Sequence, residues 1–210
     1  MSPFSAMLPG RQPAAGPFGE GMNVQFLMEL WLPILLSTVF VFIASCVIHM
    51  AVPIHKADYK GVSNEPRLIE AVRALNIAPG EYYFPWCSSM KEMRSPEFVQ
   101  KRMQGPIGIL TVMQPGPPSM GKNLVQWVLF TLVIAIFTAY VGMLALVPGA
   151  NFTPVFRVTT TVAFMAFGPA YVHSSIWKGL SWSIAFKFVF DGIVYAAVMG
   201  ATFGWLWPAA

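Results

Sequence analysis

Residues Trp182–Trp207 read WSIAFKFVFDGIVYAAVMGATFGWLW. The run is almost wholly apolar and longer than the about 20 residues that cross a bilayer as a helix. Two patterns lie inside it. Lys187 and Asp191 are spaced by one helical turn, so they share a face. Gly192, Ala196, Gly200 and Gly204 repeat every fourth residue and draw a stripe of small side chains. Such stripes let helix backbones approach closely, which is how helices associate in lipid.

Working outward, three more runs have the same character. The first extends from about Leu32 to Val52 and stops at Pro53; between Trp31 and Met50 it is uncharged except for His49. The second extends from about Leu124 to Val147, before Pro148-Gly149, and the third from Pro154 to Trp177. Pro169 interrupts the third and has no N–H for the carbonyl of Met165, so a kink is expected there. Pro33 is a possible kink early in the first. The chain is 56% hydrophobic and 10% charged, whereas a soluble domain carries about 25% charged residues. Its mean hydropathy is +0.59. The fold class is therefore an all-α membrane protein of four transmembrane helices.

Segments are expected as follows: a flexible tail over 1–22, an interfacial turn and first helix over 23–53, an insert over 54–122, and later helices over 123–148, 154–177 and 181–207. The tail is rich in Pro and Gly and cannot form a core. Asn23 is placed to cap the turn that follows. No cleavable signal sequence is evident. The insert carries most of the charge. One helix should follow Asn64-Glu65-Pro66, with Leu68, Val72 and Leu75 on one face. Another should be SPEFVQKRMQ, with Ser95 as cap, Pro96 in the first turn and Gly105 as stop. EYYFPW (81–86) and IGILTVM (107–113) read as two strands of an antiparallel ribbon. The whole is a small α+β insert with a thin core.

Lysines set the expected threading. Lys56, Lys60 and Lys122 flank the insert and Lys178 lies between helices three and four, while the turn 148–152 is uncharged. Excess Lys and Arg mark the cytoplasmic side. The insert should face the cytoplasm and both termini the outside. Arg157 is the exception, read as an interface anchor or a partner for lipid phosphate. Trp31, Trp205 and Trp207 suit one interface, Trp177 and Trp182 the other.

Candidate chemistry is sparse. Lys187 and Asp191 are intramembrane charges, costly at about 2.5–3.5 kcal/mol each at mid-helix and functional candidates for that reason. They read either as an ion pair, with Lys187 also in reach of the carbonyl freed by Pro169, or as part of a transport path. The histidines His49, His55 and His173 all fall on the expected cytoplasmic side, with Asp58 close after His55. Imidazoles with a carboxylate can bind zinc or iron, although the spacing matches no ligand motif. Cys46 and Cys87 form neither a CxxC nor a disulfide framework. GPPSMGK (116–122) imitates a phosphate-binding loop but has Asn123 where Ser or Thr should hold magnesium, and two prolines remove backbone donors. Nucleotide binding is excluded. The net charge of +4 gives no case for nucleic acid. Asn151-Phe152-Thr153 is followed by Pro154 in a very short turn and is no glycosylation signal. No Ser-His-Asp, paired-carboxylate or HExxH pattern occurs.

HKADYKGVSNEP (55–66), PGEYYFP (79–85), SPEFVQKRMQGP (95–106), TVMQPGPPSMGK (111–122) and TFGWLWP (202–208) together resemble a family of small uncharacterised bacterial four-helix inner-membrane proteins. The resemblance spans about residues 32–208. It implies a bacterial inner membrane and an insert that forms one unit; it implies no activity.

The functional expectation is a non-catalytic accessory or scaffold subunit without a cofactor. Its partners would be the lipid bilayer and other membrane subunits or itself. The alternatives are a small transporter using Lys187 and Asp191, or a membrane metal or haem protein using His49, His55 and His173.

Overall fold

The computed structural model describes residues 25–210. The tail and the Asn23 cap fall outside the described residues. Four segments, Trp31–Ala51, Met120–Ala145, Phe152–Lys178 and Trp182–Trp205, are long and apolar enough to cross a membrane. The chain is an integral membrane protein of four helices with a two-stranded antiparallel sheet between the first and second.

A short helix α1 (Gln25–Glu29) bends at Leu30 into α2 (Trp31–Cys46). Pro33 therefore lies in the first turn of α2, where its missing N–H is harmless, and the bend falls at Leu30 instead. α2 does not continue regularly to Val52 as expected. Over Val47–Ala51 it widens into a π-turn, closed by Val52 N–H to the Val47 carbonyl at 3.2 Å. Val52 is extended because Pro53 follows it, and Pro53–His55 makes a single 3₁₀ turn.

The insert continues with α3 (Glu65–Ala74), β1 (Gly80–Phe84), α4 (Met90–Met93), α5 (Pro96–Gln104) and β2 (Gly108–Val112). Asn64 caps α3 and Ser95 caps α5, each through its side-chain oxygen. α4, capped by Ser89, is an addition to the expected elements. β1 and β2 pair from Gly80↔Val112 to Phe84↔Gly108. Among the described residues, Phe98 is the one fully buried apolar side chain of this insert, while Leu68 and Leu75 stay exposed. The insert is tied to the bundle by Lys178, whose Nζ lies 3.0 Å from both carboxylate oxygens of Glu81.

α6 (Met120–Ala145), α7 (Phe152–Phe167), α8 (Ala170–Lys178) and α9 (Trp182–Trp205) complete the bundle. The third span is interrupted at Gly168-Pro169, dividing it into α7 and α8. Around the bundle α2 packs on α6, α6 on α7, α7 on α9 and α9 on α2. Val41, Ala135, Ala139, Ala163, Met199 and Phe203 fill its centre. Interior hydroxyls such as Ser37, Thr38, Thr159 and Thr202 donate to carbonyls one turn back on their own helices.

The small-residue stripe of α9 faces α7. A Cβ on Gly192 would lie 2.6 Å from the Cα of Gly168, and one on Gly204 would lie 2.7 Å from the Phe152 ring. Gly200 abuts Thr160. The stripe thus serves contact within the chain. At the end away from the insert, Gly149 N–H donates to the Pro208 carbonyl at 2.7 Å, and Trp207 Nε1 donates to Val147 at 3.0 Å. Phe26 of α1 packs on Tyr140 near the same end. Both ends of the described chain thus lie together, opposite the insert.

Candidate metal centre

Asp191 anchors the site. It lies nine residues into α9, roughly 13 Å along the axis at 1.5 Å per residue. Its side chain is 2% exposed, and neither carboxylate oxygen has a hydrogen-bond partner. A buried carboxylate is costly unless opposite charge or a cation balances it, so the surroundings of Asp191 need a chemical reason.

Those surroundings are two imidazoles. His55 Nε2 approaches Asp191 Oδ2 to 3.0 Å and His49 Nε2 to 4.0 Å. The His55 contact lacks hydrogen-bond geometry, and His55 Nε2 is itself without a hydrogen-bond partner. The other nitrogen of each ring is anchored. His55 Nδ1 lies 2.6 Å from Asp58 Oδ2. His49 Nδ1 lies 3.1 Å from the Ser45 carbonyl, with the Tyr195 hydroxyl 3.5 Å away. Each of these acceptors can take an Nδ1 proton. Each Nε2 is thereby turned towards Asp191.

The local backbone makes this convergence. A regular helix through residue 55 would carry His55 about 9 Å beyond His49 along the axis and away from Asp191. The π-turn and the break at Val52-Pro53 fold the chain back, so that His55 lies over His49. Their rings stack with centroids 4.6 Å apart. Phe188 packs beside His55 at 5.1 Å and is itself stacked on Tyr171 at 3.8 Å. π-turns inside helices are frequent at functional sites.

Lys187 does not pair with Asp191, and it does not take the carbonyl freed by Pro169. Its Nζ lies 2.5 Å from Asp58 Oδ1. The two side chains point apart because α9 offers Asp191 to the histidines, whereas the longer Lys187 reaches back to the insert-side turn. Burial pushes the Asp58 carboxyl up, but hydrogen bonds from Lys187 and His55 outweigh it and hold the group below the ordinary carboxylate range. The cluster thus sets two carboxylates, Asp58 and Asp191, against the Lys187 ammonium and two imidazoles.

One ligand atom each from His49, His55 and Asp191 lie within 4.8 Å of one another. Metal bonds of about 2.0–2.2 Å to such donors need them somewhat closer. Two imidazoles and a carboxylate suit zinc or iron, and hydrogen bonds from ligating histidines to carboxylates or carbonyls fix ring orientation and raise basicity. Of the candidate residues, the structure unites His49, His55 and Asp191, with Lys187 one step behind them. His173 on α8 is exposed and outside the cluster, and Arg157 is exposed on α7. Tyr195 and Phe188 escape notice in the sequence, although both lie one turn from Asp191 on the same helix. No protein-family model, curated protein or solved structure matches this chain.

Proposed function

We propose that this integral membrane protein binds a divalent transition metal through His49, His55 and Asp191, at the end of the bundle that carries the insert. The observation that supports this most is the buried carboxylate of Asp191 with the Nε2 atoms of His55 and His49 converging on it at 3.0 and 4.0 Å, the other nitrogen of each ring being already anchored. In this reading the membrane is a bacterial inner membrane. The insert faces the cytoplasm, as the distribution of Lys56, Lys60, Lys122 and Lys178 supports. An accessory role in a larger complex is compatible with such a centre. The small-residue stripe gives that role no support, because α7 occupies it.

The test is metal content. Protein purified in mild detergent is loaded with zinc or ferrous ion, desalted and measured by elemental analysis. One equivalent should remain on the wild type and on His173→Ala, and be lost in His55→Ala and Asp191→Asn. Wild-type protein that retains no metal would sink the proposal.

A further inference from the structure

We infer that the centre is open: its metal keeps coordination positions for a small exogenous oxygen- or nitrogen-donor ligand, which enters past His49. This rests on the metal reading above and adds what the ion is held for. Structural zinc sites close with four protein donors, whereas catalytic sites keep three and leave room for water or substrate. The same two-histidine, one-carboxylate set with open positions also serves non-haem iron enzymes.

The donor count here stops at three. Asp58, the nearest further carboxylate, has Oδ2 engaged by His55 and Oδ1 by Lys187. His173, Cys46 and Cys87 do not join the group, and no other His, Cys, Asp or Glu among the described residues does. Residues 1–24 contain neither His nor Cys, and Glu20 is their one acid.

The two rings are unequally exposed. The side chain of His55 is 11% exposed and that of His49 is 44% exposed. Phe188, stacked on Tyr171, packs against the His55 ring, so the remaining approach runs along His49. A ligand bound there would meet the metal with the buried Asp191 behind it.

The full chain in detergent is loaded with Co²⁺, whose visible bands report coordination, and titrated with azide. The bands should shift and saturate in the wild type and in His173→Ala. Stoichiometric cobalt whose bands ignore azide would show a closed centre, overturning this inference while the metal reading stands. The same azide response in an Asp191→Asn protein that still holds cobalt would place the response elsewhere and also overturn it. Absence of bound cobalt in the wild type would remove both.

Discussion

The imidazoles of His49 and His55 lie face to face, their planes within 1° of parallel. Parallel planes carry their in-plane lone pairs side by side, so both cannot meet one ion without a tilt. His49, the more exposed ring, is the one with room to turn. Metal loading should therefore unstack the pair. Ring-proton shifts of both histidines should move on addition of Zn²⁺ and return on chelation. Shifts that stay put on one ring while the other moves at full loading would show that only one of the rings binds.

Asp58 should matter to metal affinity although it touches no metal. Asp58→Asn removes the carboxylate that fixes His55, and losing such a partner typically costs roughly 10–100-fold in affinity. Lys187→Met should weaken binding less, since it acts only through Asp58. Competition titration against a chromophoric chelator would separate the two from the wild type.

Removing the ion should loosen one stretch of chain. His49, His55 and Asp58 link residues 47–58 to α9, beside the apolar packing of Ile48 and Ile54. Hydrogen exchange should rise there in chelator-treated protein and stay unchanged in α6 and α7. A uniform rise across all four spans would instead mean that the metal supports the whole bundle.

Gly192 should resist even alanine. Alanine favours a helix over glycine by about 1 kcal/mol, but its Cβ would run into the backbone of Gly168. No rotamer relieves that clash, and overpacking of this kind costs about 1–3 kcal/mol. Gly192→Ala should lower the thermal midpoint in detergent, and Gly192→Val should lower it further. Gly121→Ala, where nothing lies within 4 Å of the added carbon, should be neutral or stabilising.

Within the insert, Ser95→Ala should cost about 1 kcal/mol through loss of the cap on α5. Breaking the exposed Lys178–Glu81 pair should cost no more than about 1 kcal/mol. Local exchange of the α5 amides distinguishes the two.

The four spans, two of the three capped insert helices and the ribbon were legible because each follows from local chemistry: apolar length, cap residues and alternating strands. The site was legible only in pieces. His49, His55, Asp58, Lys187 and Asp191 each stand out as ionisable groups, yet helical spacing pairs Lys187 with Asp191 and leaves the histidines unassigned. What redirects them is tertiary. α9 packs against α2, and the backbone between His49 and His55 leaves the α-helical path. Neither event has a local signature beyond Pro53. The partner of the small-residue stripe was equally hidden, since the repeat states that something packs closely and not what.

The π-turn at Val47–Ala51 adds one residue to the count of a regular helix. The centre is therefore encoded in phase as well as in composition. A deletion of the single residue Met50 would remove no donor and no charge, yet it would make the Val52-to-Val47 bond an ordinary α-helical one and re-aim His49 inside the tightened turn. In this stretch, chain length is under as much constraint as residue identity.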